Sequence, residues 1–129
     1  MGMWTIQITD TATGETQNVL SGKERLRIGS LKSSDIQLEK VGRMHGTIEL
    51  VDPENHPQVC IYDFGSSLGT FINGSKITEH IPLYEGDLIQ IGQYTLRVQH
   101  PELPKATTRP LSAPESTPAK NRFYFDQNL

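Results

Sequence analysis

The sequence predicts an all-β fold, a sandwich or barrel, on three observations. Short apolar–polar alternations recur through the first hundred residues, turn-forming clusters separate them at close intervals, and helical periodicity is nowhere sustained. In the first run Trp4, Ile6 and Ile8 alternate with Thr5, Gln7 and Thr9, so one face of a strand can be buried while the other stays wet. Leu26 and Ile28 alternate with Arg25 and Arg27 in the same manner. The period of two returns in Thr47–Leu50, Val59–Tyr62, Ile89–Ile91 and Tyr94–Val98, and each run predicts one wall of a core. Between them lie Thr13-Gly14-Glu15, Asp52-Pro53-Glu54-Asn55, Asn73-Gly74, Glu85-Gly86-Asp87 and Gly92-Gln93, all rich in residues that tolerate turn dihedrals. Asn73-Gly74 is the sharpest signal, because a type I′ turn needs positive φ at both central residues. It predicts a hairpin joining Phe71-Ile72 to Lys76-Ile77.

A chain of 129 residues suits one domain. The expected organisation is a β domain over residues 1–100, a flexible linker over 101–120 and an aromatic segment over 121–129. Five of the eight prolines (101, 104, 110, 114 and 118) fall in a stretch that also holds Ser, Thr and Ala, too little apolar surface to order itself. In extended polyproline geometry such a linker reaches roughly 55 Å. Arg122-Phe123-Tyr124-Phe125-Asp126 then turns aromatic, which fits either the start of a further region or a short docking motif.

Charge and motif content narrow the function classes. The net charge is −3, and Lys and Arg are scattered, which argues against nucleic acid and against an anionic membrane surface as partner. No apolar run approaches the roughly 18 to 20 residues that span a bilayer. Met1–Asp10 lacks the basic-then-apolar layout of a secretory signal. Cys60, the single cysteine, has no partner for an intrachain disulfide and reads as a small hydrophobe in a strand. A cytoplasmic location is the expectation. His56, His80 and His100 show no ligand spacing and no phosphate-cradling glycine loop is present, so neither metal nor cofactor is expected. Gly65-Ser66-Ser67-Leu68-Gly69 matches the nucleophile-elbow pattern of hydrolases. That elbow requires a strand running into a helix within a large α/β sheet, whereas the residues that follow here read as strand and hairpin. No catalytic residue is therefore assigned, and a non-enzymatic module is expected.

Three segments stand apart from the strands: Ile28-Gly29-Ser30 with Leu31 to Asp35, Val41-Gly42-Arg43-Met44-His45, and Asp63 through Gly74. Together with Asp35-Ile36-Gln37-Leu38 and the run from Leu83 to Gly92, this series resembles the forkhead-associated (FHA) domain over roughly Trp4 to Val98. The resemblance implies an FHA-like twisted β-sandwich of two antiparallel sheets, whose loops at one end bind a phosphothreonine peptide. In the family's pattern these loops carry Gly-Arg, then Ser-Arg-any-His, then Ser-any-Asn-Gly-Thr. The Arg and Ser hold the phosphate, and the Asn fixes the peptide backbone. A guanidinium fork and short donors on a rigid frame suit a dianionic phosphate.

This sequence departs from that pattern at all three contact positions. Ser30 stands where the family has its phosphate Arg, Gly42 where it has the Ser, and Leu68 where it has the Asn. Gly29, Arg43, His45, Ser66, Gly69, Thr70, Asn73 and Gly74 keep the supporting pattern. Of these, His45 is expected to brace the loops by hydrogen bonding. Gly29, Gly69 and Gly74 are expected to meet demands for positive φ or close approach. Hydrogen bonds to a charged group contribute about 1.5–3 kcal/mol each, so loss of the Arg and Ser contacts weakens phosphate binding more than about a hundredfold. The expected contact surface is Ser30, Lys32, Gly42, Arg43, Ser66, Ser67 and Leu68, facing a protein or peptide partner with weakened or lost phosphothreonine dependence. Two alternatives stand beside it. Lys32, Lys40 or Arg43 supplies a substitute cation and phosphothreonine is still read, or the chain is the regulatory front end of a larger enzyme or secretion component. Thr107, Thr108 and Thr117 are candidate phosphorylation sites in the tail.

Overall fold

Eleven short strands carry the fold in the computed structural model, which describes residues 2–105. They are β1 (Trp4–Asp10), β2 (Thr16–Ser21), β3 (Arg25–Gly29), β4 (Ile36–Gln37), β5 (Gly46–Val51), β6 (Gln58–Asp63), β7 (Phe71–Ile72), β8 (Ser75–Lys76), β9 (Ile81–Pro82), β10 (Ile89–Ile91) and β11 (Tyr94–Gln99). One sheet runs β2-β1-β11-β10-β7-β8 and the other β4-β3-β5-β6-β9. The predicted sandwich of two sheets is present. Every strand pair is antiparallel except β3 with β4, which returns parallel after a six-residue loop.

The alternation read from sequence sets the registers. Ile6 pairs with Val98 and Ile8 with Leu96 in one sheet. In the other, Leu26 pairs with Ile48 and Ile48 with Ile61. Directly opposed residues share a face, so matched alternations stack apolar on apolar, and all these side chains belong to one buried cluster with Trp4, Ile28, Ile36 and Ile89. Each fully buried Ile or Leu contributes about 1.5–3 kcal/mol from removed apolar area. Arg25 and Arg27 point outward from β3. Cys60 is buried on β6, where burial and then the Glu49 charge push its thiol above the ordinary range.

Three strands carried no readable alternation. β2 is polar and largely exposed, an edge strand held by backbone pairing to β1. β4 and β9 have two residues each, and Pro82 is tolerated in β9 because that strand is an edge pairing with β6 alone.

The expected linker begins as a docked strap. Leu103 packs on the core cluster and its N–H donates to the His100 carbonyl at 3.0 Å, while the Glu85 N–H donates to the Pro104 carbonyl at 2.8 Å. The His100 ring lies 4.3 Å from Trp4. Packing thus continues past the expected boundary at residue 100 to the end of the described residues. Linker residues 106–120, with Thr107, Thr108 and Thr117, and the aromatic segment 121–129 lie outside the described residues. Among the described residues no helix is long and apolar enough to cross a membrane.

Candidate functional site

The loop between β3 and β4 (residues 30–35), the loop between β4 and β5 (38–45) and the loop between β6 and β7 (64–70) converge at one end of the sandwich. The first two are stitched together by the Ser30 N–H, which donates to the Gly42 carbonyl at 3.0 Å. Gly29 lies beneath this junction. A Cβ there would sit 2.0 Å from the Arg43 carbonyl oxygen, so the close approach demands glycine. Asp35 staples the first loop to β3. Its carboxylate accepts from the Arg27 N–H at 2.8 Å and from Lys23 Nζ at 2.6 Å. Burial pushes that carboxyl up, but the Arg27 N–H and the Lys23 and Arg27 side chains outweigh it and hold it below the ordinary range.

His45 joins the second loop to the third. The ring is fully buried, and Nδ1 accepts the Gly42 N–H at 3.2 Å, so the ring proton resides on Nε2. Nε2 lies 3.1 Å from Ser66 Oγ, 3.1 Å from Thr70 Oγ1 and 3.2 Å from the Gly69 carbonyl. Asp63 is the hub below. Its Oδ2 accepts from both the Ser66 and Thr70 hydroxyls at 2.7 Å, and its Oδ1 accepts the Ser66 N–H at 2.7 Å. The Gly69 N–H then donates back to Ser66 Oγ at 2.9 Å, closing the turn. Burial pushes the Asp63 carboxyl up. The Ser66 and Thr70 hydroxyls, the Ser66 N–H and His45 overcome that and place it below the ordinary carboxylate range.

Ser66, His45 and Asp63 thus form a serine–histidine–aspartate cluster, wired unlike a catalytic triad. In a triad the carboxylate receives the Nδ1–H and the serine proton faces Nε2. Here Nδ1 is occupied by a backbone N–H and the serine proton goes to the carboxylate. No helix follows Gly69; the chain enters β7. The cluster is a loop brace.

Ser66 was expected on the contact surface, but its hydroxyl is consumed within this brace. Of the other expected contacts, Ser30 and Gly42 are half-buried like Ser66, while Lys32, Arg43, Ser67 and Leu68 are exposed. Leu68 reaches back toward the β10–β11 turn, its Cδ1 3.4 Å from where a Gly92 Cβ would stand. Gly69 and Gly74 have φ of 81° and 90°, as the turn reading required of them. Asn73, at φ 51°, forms the predicted hairpin with Gly74, and Ile72 pairs with Ser75. Its side chain also bridges elsewhere, donating to Asp87 Oδ1 at 3.0 Å and accepting the Leu88 N–H at 3.0 Å. Sequence reasoning did not single out Asp63 or Asp35. Asp63 carried a usable signal, an aspartate three residues before a serine, the pattern of a side-chain-capped turn. Among the described residues no group of three or more His, Cys, Asp or Glu side chains is placed to hold a metal.

Comparison with known proteins agrees with this architecture. Among curated proteins no sequence matches the chain. Mycobacterium tuberculosis EmbR, solved in complex with a low-affinity phosphopeptide, is similar at 27% identity and a TM-score of 0.60; the match covers 74% of this chain and 24% of EmbR. The chain therefore spans about a quarter of EmbR's length. The FHA domain of FhaA, complexed with the intracellular domain of Rv3910, is similar at 25% identity and a TM-score of 0.58, covering 74% of this chain and 99% of that one. The Slr1951 protein from Synechocystis sp. is similar at 25% identity and a TM-score of 0.62, covering 74% and 96%. The FHA domain family model matches residues 26–92, more than half of the chain and all three loops. This chain belongs to the FHA domain family, whose members are phosphopeptide-binding protein interaction modules.

Proposed function

We propose that this chain binds a partner protein or peptide through the three loops at one end of the sandwich, with weakened or lost dependence on phosphothreonine. The observation that carries the reading is a division of labour. The brace of His45, Asp63, Ser66 and Thr70 is complete, while Ser30, Gly42 and Leu68 occupy the positions where the family places its phosphate and peptide contacts. A serine hydroxyl, a bare glycine and an apolar side chain bring no charge to a dianion. A half-exposed Leu68 favours a dry contact instead.

Titration of the full chain with degenerate peptides centred on Thr or on phosphothreonine tests this. The two series are expected to bind within about threefold of each other, less than one charge-assisted hydrogen bond. The variant Ser30→Arg/Gly42→Ser/Leu68→Asn is expected to recover a phosphothreonine preference of about a hundredfold. A serine Cβ at position 42 meets no atom closer than 3.4 Å, so the frame accepts it. A preference of that size in the unmodified chain would overturn the proposal.

A second reading has its own support. Among the described residues, the side chains of Lys32, Lys40 and Arg43 join none of the ion pairs, and each is available to an incoming phosphate. On that reading the unmodified chain prefers phosphothreonine, and Arg43→Ala abolishes the preference.

A further inference from the structure

Where the three loops meet β3 and β5 lies a groove of about 350 Å³ with Arg25, Arg27, Leu31, Met44 and Phe64 on its walls. Its apolar walls are unusually bare. Met44 is 66% exposed and Phe64 46% exposed, whereas most large apolar side chains among the described residues lie in the core. Phe64 is also held in place. Its ring meets Tyr62 edge-on at 5.4 Å, and Tyr62 is in turn stacked on His80 at 4.2 Å with 7° between the planes. An exposed aromatic ring ordered in advance loses little entropy when a partner covers it, and such rings anchor interfaces.

The charges around the groove specify the occupant. Arg25 and Arg27 line it on the β3 side, and no acidic side chain lines it. Their acidic partners are less exposed: Asp35, bound to Arg27 and Lys23, shows 10% of its side chain and Glu49, 3.7 Å from Arg25, shows 20%, against 53% for Arg27 and 66% for Arg25. The face is cationic on a chain of net charge −3. A second copy docking symmetrically would bring the same cations together, so self-association through this groove is disfavoured. We propose that the groove receives a large apolar side chain, aromatic or aliphatic, from an acidic segment of a partner protein. This grip involves no phosphate and uses none of Ser30, Gly42 and Leu68.

The test uses short synthetic peptides with a central Trp, Phe or Leu flanked by Asp and Glu and lacking Ser, Thr and Tyr, titrated into the full isotope-labelled chain. Saturable NMR shifts are expected at the Leu31 and Met44 methyls and at Phe64. Replacing the peptide's anchor by Ala, or its acids by Lys, is expected to weaken binding about tenfold or more. Phe64→Ala and Met44→Glu should do the same while strand amide shifts stay native, which separates lost binding from lost fold. Absent shifts, shifts confined to Ser30, Gly42 and Leu68, or affinity unchanged in both variants would each overturn the proposal. So would a concentration-dependent dimer that Met44→Glu abolishes, because the occupant would then be a second copy. Strong phosphothreonine discrimination at the loops would count against the preceding section and leave this one standing.

Discussion

Asp63 shows how one side chain organises a loop end. Three hydrogen bonds at 2.7 Å converge on a carboxylate whose side chain is only 9% exposed, and removing it strands two hydroxyls and a backbone N–H. Asp63→Ala is therefore expected to cost about 3 kcal/mol, read as a lowered urea midpoint, and to broaden the loop resonances from 64 to 70. The pH dependence has a definite sign. The folded pKa lies below the unfolded value of about 3.9, so this stabilisation is fully present above that pH and is lost as pH falls through the folded value. Asp35 adds to the same slope. Melting temperatures followed below about pH 4 should fall steeply in the unmodified chain and less steeply in Asp63→Asn; identical slopes would remove Asp63 from this role.

At the scale of elements, the β7–β8 hairpin illustrates a turn that serves two purposes. Asn73 and Gly74 supply the two positive φ angles, and the Asn73 amide also ties the turn to Asp87 and Leu88 at the entry to β10. Gly74→Ala strains only a left-handed backbone and should cost about 1–2 kcal/mol. Asn73→Ala also leaves the Leu88 N–H without its acceptor, so chemical denaturation should find it the more destabilising of the two. The hairpin itself was legible, because Asn-Gly between two β-formers has few other readings. β2 was not, because Thr16-Gln17-Asn18 has no apolar period and the strand exists by pairing with β1. The internal bonding of Ser66 was not legible for a related reason. Its neighbours in sequence mark a loop tip, while its partners, His45 and Asp63, are set by strand register.

For the whole molecule, closure joins the ends of the described chain. β1 pairs with β11 along six residues, and the strap from Pro101 to Lys105 is tied to His100 and to Glu85 ahead of β10, with Leu103 on the core. His100 is buried, and its Nδ1 accepts the Glu102 N–H at 3.0 Å. Burial lowers its pKa, with the Glu102 charge opposing, so the strap's stabilisation is present above about pH 6.5 and fades as pH falls below that. Hydrogen exchange, corrected for intrinsic rates, should show reduced protection at Glu102, Leu103 and Glu85 on going from pH 7.5 to about pH 5. Equal protection at both would refute the coupling. Ending the chain at His100 is expected to lower stability by about 1–2 kcal/mol, from the lost cover over the core by Leu103.

By itself the sequence determined the fold class, most of the core and the three loop motifs with their departures from the family pattern. Alternation, Asn-Gly and the three loop motifs are local properties, readable within a few residues. Only the tertiary structure decided that β11 lies between β1 and β10, that Asp63 is the hub beneath His45, and that Leu31, Met44 and Phe64 share one groove. Those facts depend on which strands pair across the sheets, a choice set by the packing of the whole core and by no single stretch of chain.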